Sequence, residues 1–182
     1  MTSKKTFAII GIFLALIIIC SVLLYPKIVP SNAHISVYFS PNGGCTTAII
    51  DEINNAKSEI LVQAYSFTSA PIAKALVDTH KRGIKVVVIL DKSQKTAQYT
   101  SATFLANSKI PTYIDSSHAI AHNKVMIIDG SKVITGSFNF TKAAEEKNAE
   151  NLLIIKSEEL AKKYLENWNR HKDHSEPYEP RY

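Results

Sequence analysis

Apolar residues recur along the chain with the two spacings that distinguish strands from helices. Alternating or continuous apolar runs rich in β-branched residues predict strands, and apolar residues three or four positions apart predict helices with one buried face. The predicted strands cover residues 34–39, 59–67, 84–90, 112–114, 124–128, 132–135 and 151–155. The predicted helices begin at Thr46 and Ser69, span residues 93–107, and run from about Leu160 to Trp168, and a polar tail from His171 is expected to fray.

The order of these elements predicts one domain of the α/β class, with mixed α+β character. Strands and helices alternate through the first half of the chain, and a hairpin at residues 124–135 interrupts the second half. The run at residues 84–90 is apolar at nearly every position, which is typical of a central strand covered on both faces. We therefore predict a central mixed sheet flanked by helices on both faces over residues 34–174, followed by a polar tail at residues 175–182.

The longest apolar run, residues 7–25, carries no charge and is about as long as a helix that crosses a bilayer. Lys4 and Lys5 precede it, which predicts export of the chain that follows. Residues 1–33 are therefore predicted to be a signal peptide cleaved near Ala33 or a hydrophobic helix that stays in the membrane through residues 6–25. The domain would be periplasmic or secreted in the first case, and anchored on the non-cytoplasmic side in the second.

Net charge and cysteine content narrow the interpretation only slightly. The formal net charge is +5, but three of the 21 basic residues and none of the 16 acidic residues lie in residues 1–33, which leaves +2 for the remainder. An excess this small is weak support for a polyanionic partner. Cys45 is the one cysteine outside the apolar run, so no disulfide can form within the domain. Its position at the start of an amphipathic helix predicts that it is buried.

The predicted hairpin and the residues beside it gather the candidate chemistry. His122 and Lys124 are two positions apart and share a face if the strand begins at His122, and Ser137 and Asn139 follow the same rule. Histidine can be a nucleophile or proton carrier, lysine supplies positive charge, and serine and asparagine donate neutral hydrogen bonds. This set suits a phosphodiester, with Lys124, Ser137 and Asn139 binding the phosphate. Asp129 lies at the turn with the opposite parity, which predicts a scaffold role.

No cofactor and no metal are predicted at this hairpin. The sequence places no carboxylate cluster there that would hold Mg²⁺. His118 and His122 are four residues apart, but no glutamate lies between them and no third ligand is evident, so a zinc-binding helix is not favoured. The predicted chemistry is therefore independent of metal.

At these residues the sequence resembles the phospholipase D superfamily. The family signature, H-x-K-x₄-D followed by G-S-x-N, is matched without departure by His122, Lys124, Asp129, Gly136, Ser137 and Asn139. The resemblance extends over the whole domain and is nearest to the small bacterial members with a single motif, which include an exported nuclease and short proteins called phospholipase D. It implies a phospholipase D-like fold and an enzyme that hydrolyses phosphoric diesters. Gly136 would serve as scaffold, because glycine lets the backbone approach a ligand closely.

The resemblance also implies a mechanism that uses two histidines. One attacks phosphorus to give a phosphohistidine, and the other protonates the leaving oxygen before water completes hydrolysis. None of the other five histidines begins a second H-x-K motif, so we predict a homodimer in which two copies complete one site. Glu150 matches the family position whose carboxylate orients the nucleophilic histidine, which makes His122, Lys124 and Glu150 the predicted catalytic residues.

The substrate class stays open at this point. A nuclease acting on DNA or RNA is the first hypothesis. A phospholipase D that hydrolyses phospholipid head groups, for example phosphatidylcholine to phosphatidate and choline, is the second, and a dimeric binding module without catalytic activity is a distant third. Nucleic acid and phospholipid present the same phosphodiester to the same residues, so the hairpin alone does not separate the first two hypotheses.

Overall fold

Eight strands form one mixed sheet in the computed structural model, which describes residues 33–98 and 100–180. The strand order is β1-β7-β6-β5-β2-β3-β4-β8, in which β2, β3 and β4 are parallel and every other neighbouring pair is antiparallel. The strands are β1 His34–Ser40, β2 Glu59–Ala64, β3 Lys85–Asp91, β4 Thr112–Asp115, β5 Lys124–Ile128, β6 Lys132–Gly136, β7 Glu150–Lys156 and β8 Glu176–Pro177.

Helices cover both faces of this sheet, as the sequence predicts. They are α1 Cys45–Asn54, α2 Ala70–Lys81, α3 Ala102–Asn107, α4 Lys142–Glu146 and α5 Glu158–Asp173, with a short 3₁₀ turn at Lys92–Lys95. The larger core contains buried residues of α1 to α4, and the second core joins α5 to the opposite face. In that second core Trp168 packs on the sheet and its indole nitrogen donates to the backbone oxygen of Val62 at 3.1 Å.

One edge of the sheet collects the ends of seven strands. The carboxyl ends of β1, β2, β3, β4 and β6 meet there with the amino ends of β5 and β7, because Ser40 pairs with Glu150, Ala64 with Lys124, and Asp91 with Asp115. We call this the site edge. The loops that follow it carry the residues singled out by the sequence.

Two predicted features of the chain are wrong. The predicted helix at residues 93–107 is broken into the 3₁₀ turn and α3. The Asp91 carboxylate accepts a hydrogen bond from the Ser93 amide and caps the turn, and Gln94 is buried, where its side-chain oxygen accepts hydrogen bonds from the Phe67 amide and the Thr100 hydroxyl. These side-chain contacts compete with a continuous helix.

The expected fraying from His171 is also wrong. Helix α5 continues to Asp173, β8 pairs with β4, and Tyr178 is buried with its hydroxyl 2.8 Å from that of Thr103. The short β8 supplies backbone partners to the outer side of β4, which a polar composition does not reveal.

The predicted burial of Cys45 is confirmed, whereas the predicted N-terminal helix is not tested. Cys45 is buried, and burial together with the nearby charge of Glu145 raises the pKa of its thiol. The predicted N-terminal hydrophobic helix lies outside the described residues. Within residues 33–98 and 100–180, no helix is long and apolar enough to cross a membrane.

Candidate active site

The loop between β4 and β5 delivers His122 to the site edge. Asp91, at the end of β3, is buried, and its carboxylate accepts a hydrogen bond of 2.7 Å from the amide of Ala121. On the other side of the histidine, the backbone oxygen of Asn123 accepts a hydrogen bond from the Tyr65 backbone amide at 2.8 Å. The backbone on both sides of His122 is therefore fixed, whereas the imidazole itself is exposed at the protein surface.

His122 and Lys124 are in direct contact. The Lys124 ammonium lies 3.0 Å from Nδ1 of His122 and donates to the His122 backbone oxygen at 2.8 Å. Tyr65 forms the third wall, with its ring centroid 4.5 Å from that of His122 and 5.0 Å from the Lys124 nitrogen. Because the ammonium donates to Nδ1, the ring proton of a neutral His122 resides on Nε2.

Lys124 carries this charge in a nearly buried position at the start of β5, with 7% of its surface exposed. Burial lowers the pKa of its ammonium, and the negative charge of Glu150 opposes part of that shift. A desolvated ammonium interacts more strongly with an anion than a hydrated one does. The residue therefore combines positive charge with partial removal from water, which suits a group that offsets phosphate charge.

The predicted phosphate ligands Ser137 and Asn139 follow β6 at the same edge. The Ser137 hydroxyl accepts a hydrogen bond from the backbone amide of Asn151 at 3.1 Å. The Ser137 backbone amide donates to the backbone oxygen of Asn151, also at 3.1 Å. Gly136 has a φ of +143°, and a Cβ there would collide with that same Asn151 oxygen. Asn139 Oδ1 is buried and has no hydrogen-bond partner within residues 33–98 and 100–180.

The other two predicted site residues lie at opposite edges of the sheet. Glu150 begins β7 at the site edge, near enough to Lys124 to act on its pKa, and accepts a hydrogen bond from the side-chain amide of Asn148 at 3.1 Å. Nδ1 of His122 faces Lys124 and not this carboxylate, so the orienting role of Glu150 stays a prediction. Asp129 lies at the opposite edge and accepts hydrogen bonds from the backbone amides of residues 57–59. Its side chain ties the α1–β2 connection to the hairpin turn.

Comparison with known proteins identifies the family. Residues 49–172 match the family described as Cardiolipin synthase, PLD-like domain. A protein named phospholipase D from Rickettsia conorii is 46% identical over 138 residues, which span 76% of this chain and 69% of that protein. The chain belongs to the phospholipase D superfamily. Its signature residues are those that the site edge and the β5–β6 hairpin hold.

Two solved structures agree with the phospholipase D assignment. The phospholipase D family member Nuc from Salmonella typhimurium has a TM-score of 0.78 and 40% identity, covering 81% of this chain and 99% of that one. NucT from Helicobacter pylori has a TM-score of 0.73 and 25% identity, covering 81% of this chain and 100% of that one. The predicted phospholipase D-like fold is thereby confirmed for the domain.

Three supporting residues of this phospholipase D site were not assigned from the sequence. Tyr65 packs on His122, Asp91 holds the loop before it, and Asn151 joins Ser137 to β7. Each of these residues lies at or just beyond the end of a strand, at the site edge of the sheet. The sequence indicates that Tyr65 and Asp91 lie near strand ends. It does not indicate that β2 pairs with β5, and that pairing brings Tyr65 to His122.

Proposed function

We propose that this phosphodiesterase cleaves nucleic acid through a phosphohistidine formed on His122, in a site that a second copy of the chain completes. The observation that carries the proposal is the contact between His122 and Lys124 at an exposed edge, where a nucleophile or acid stands beside a desolvated positive charge. The chemistry needs these two functions together, because a phosphodiester anion repels nucleophiles until its charge is offset.

The proposed reaction has two steps. Nε2 of His122 in one copy attacks phosphorus, the nitrogen–phosphorus bond forms, and the phosphorus–oxygen bond to the leaving group breaks. The leaving oxygen takes the proton from Nε2 of His122 in the second copy. Water then attacks phosphorus, gives a proton back to that second histidine, and releases the first, which leaves a phosphomonoester and an alcohol. The nucleophilic histidine needs its ring proton on Nδ1, and the Glu150 carboxylate is the proposed acceptor for it.

Three features of the single chain suit a site that is half complete. Asn139 Oδ1 is buried without a partner among the described residues, and such an atom costs about 1–3 kcal/mol until something binds it. Phe39 and Ile120, which are 66% and 58% exposed, are large apolar side chains beside the site edge. A second copy facing this edge would cover apolar surface and supply the missing histidine.

Exposed lysines favour a polyanion over a single phosphodiester. Lys92 and Lys95 follow β3 on one side of His122, and Lys147 precedes β7 on the other, and all three are exposed. A nucleic acid strand carries a phosphate on each nucleotide and can contact both flanks while one phosphodiester occupies the site. This arrangement supports nucleic acid as the substrate although the net charge of the domain is small.

Phospholipid is the alternative substrate. The relatives named phospholipase D and the exposed apolar side chains of Phe39 and Ile120 favour it, since apolar groups beside a site can enter the lipid surface. In that case the same two histidines would release a head group such as choline from phosphatidylcholine. The chemistry is shared, so the test must separate the two substrates.

The full chain would be offered single-stranded DNA, duplex DNA, RNA and phosphatidylcholine vesicles, each in EDTA. We expect cleavage of nucleic acid, abolished by His122→Asn and unaffected by His34→Asn, because His34 begins β1 at the opposite edge. Hydrolysis of lipid alone would establish the alternative. Activity that survives His122→Asn would exclude the proposed nucleophile, and complete inactivity of the wild-type chain on every substrate would favour the binding module.

A pair of charge-matched variants tests the role of the flanking lysines. Lys95→Glu with Lys147→Glu should lower DNA cleavage about tenfold or more and flatten its dependence on salt concentration, because two phosphate contacts are lost. Lys156→Glu with Lys162→Glu makes the same change in charge away from the site edge and should have little effect. Equal losses in both double variants would show that only net charge matters and would remove this support for a nucleic acid substrate.

A further inference from the structure

Three histidines surround one buried carboxylate at the outer end of the site edge. Asp115 ends β4 and is completely buried. His118 follows it in the loop to β5, and His171 and His174 come from the carboxyl end of α5. We call these four residues the histidine cluster. Their potential ligand atoms all lie within 4.8 Å of one another, although the two halves of the cluster are far apart in sequence.

The distances within the histidine cluster approach those of a metal site. The Asp115 carboxylate lies 2.7 Å from Nδ1 of His171, 3.2 Å from Nδ1 of His118 and 3.3 Å from Nε2 of His174. Four ligands placed about 2.0–2.1 Å from a tetrahedral metal stand about 3.3 Å apart. Small rotations of the imidazoles, whose side chains are 15% to 45% exposed, would bring their nitrogens around a common centre, whereas Asp115 is fully buried.

Charge balance favours a cation at the centre of the cluster. One carboxylate can balance one imidazolium, whereas the three rings have centroids only 4.8 to 5.4 Å apart. Neutral imidazoles around a divalent cation satisfy the same geometry without repulsion between neighbouring rings.

We propose that the histidine cluster binds a divalent transition metal of the Zn²⁺ class. Imidazole nitrogens with one carboxylate suit Zn²⁺, Cu²⁺, Ni²⁺ and Fe²⁺ far better than Mg²⁺ or Ca²⁺. Four protein ligands fill a tetrahedral coordination sphere, which is the arrangement of structural metal sites. The metal would therefore act as a clip between α5 and the β4–β5 loop, and it would take no part in the chemistry at phosphorus.

The clip would act on the loop that carries His122. That loop already has two attachments to β3 and the turn after it, since Asp91 accepts from the Ala121 amide and Lys92 donates to the His118 oxygen at 2.9 Å. A metal on His118 would add a third attachment, this time to the last turn of α5. It would fix the start of the loop as Asp91 fixes its end. The inference stands apart from the proposed function, because metal binding is measured without substrate.

Metal binding to the purified full chain tests the proposal. After removal of metal by chelation, Co²⁺ would be titrated in as a spectroscopic probe, and bound zinc would be counted after dialysis against Zn²⁺. We expect one metal ion per chain, the intense visible absorption of tetrahedral Co²⁺, and a thermal midpoint that rises with added Zn²⁺. His171→Ala with His174→Ala should weaken binding at least about tenfold and remove both spectral and thermal effects.

The matched control is His34→Ala with His80→Ala, which removes two histidines outside the cluster. It should bind metal as the wild-type chain does. Circular dichroism establishes that each variant is folded, and the single variant His174→Ala, at a half-exposed position, provides a milder change with the same expected direction. A folded wild-type chain that binds neither ion at micromolar concentration would overturn the proposal, as would equal binding by the cluster and control variants.

The proposed function and the metal clip fail separately. If the clip exists, EDTA would at most slow hydrolysis by the wild-type chain and leave the rate of the cluster double variant unchanged. If EDTA abolished hydrolysis in both, a metal would be required elsewhere and the metal-independent chemistry would be wrong. Stoichiometric metal binding by a chain with no hydrolytic activity would support the clip alone.

Discussion

Lys124 is the residue whose environment most affects the proposed chemistry. Its ammonium is nearly buried, touches His122 and lies against the ring of Tyr65. Burial lowers its pKa, so it loses its proton at a lower pH than the 10.5 of an ordinary lysine. The charge that is proposed to offset phosphate is therefore lost at a lower pH than the charge of an ordinary lysine.

We predict an alkaline limb in the pH profile of kcat/KM with its midpoint below 10.5, the ordinary lysine pKa. The free-enzyme pKa of an essential group appears in kcat/KM, and Lys124 must be protonated to act. The profile would be measured with a chromogenic phosphodiester. In Lys124→Arg the limb should move to higher pH, because guanidinium does not titrate there. In Lys124→Met activity should fall about 100-fold or more. A wild-type limb at or above the ordinary lysine value would contradict this assignment.

The alternation of side chains along the strand was enough to distinguish Asp129 from the signature residues that face the site. Its position at the turn predicts a scaffold role, and its contacts are with the backbone of residues 57–59 and the Ser58 hydroxyl. What the sequence could not supply was the partner, because residues 57–59 are distant in the chain. That pairing appears only when β2 and β5 are neighbours.

For Asp129→Asn we predict a loss of about 1–2 kcal/mol in the free energy of unfolding at neutral pH. Burial alone would raise the pKa of Asp129, but the hydrogen bonds from the backbone amides of residues 57–59 have the larger combined effect, so the pKa is lowered. A depressed pKa in the folded state stabilises the protein above the ordinary value of 3.8, and this contribution is lost as pH falls through the folded value. Urea denaturation at several pH values should show the two proteins converging in acid. Asp51→Asn, at an exposed position of α1, serves as the control.

At the scale of elements, the strands were more predictable than their connections. The apolar runs fixed the seven longer strands because burial on one or both faces demands them. One continuous helix at residues 93–107 was predicted wrongly because the break depends on Gln94, whose partners Phe67 and Thr100 are known only from the fold. Strand β8 was missed because its pairing to β4 involves two residues and no apolar pattern.

The turn from β6 into the site depends on one glycine. We predict that Gly136→Ala lowers the free energy of unfolding by about 2 kcal/mol or more and reduces activity, because the added Cβ meets the Asn151 oxygen at a positive φ. Gly83→Ala is the matched control: its φ is also positive, but its Cβ would meet open space. Chemical denaturation would compare the two. An equal cost at both positions would show that backbone strain, and not the close approach to β7, governs Gly136.

At the scale of the whole molecule, the sheet order brings the signature residues His122, Lys124, Ser137 and Asn139 to the site edge. The family resemblance, more than any pattern of apolar residues, predicted this arrangement. The surface proposed to meet a second copy could not be derived from the sequence, since it depends on which side chains stay exposed after folding, such as Phe39 and Ile120.

Mixed dimers test the shared site. If each active site needs His122 from both copies, a dimer of one wild-type and one His122→Asn chain is inactive. Equal amounts of the two chains that exchange freely should then show about half the activity of the same wild-type chains alone. Exchange would be followed with two affinity tags. His34→Asn, mixed in the same way, should cause no loss. Undiminished activity in the first mixture would mean that each chain works by itself.

Strand β1 gives the domain a mechanical asymmetry. It is an edge strand whose only neighbouring strand is β7. Its first pair, His34 with Lys156, lies at the edge opposite the site, and its last pair, Ser40 with Glu150, lies beside the predicted catalytic carboxylate. A force that pulls residue 33 away from the sheet would load these pairs one after another, like a zipper. The pair next to Glu150 would be the last to open, so moderate tension on the amino-terminal side would leave the reacting groups in place.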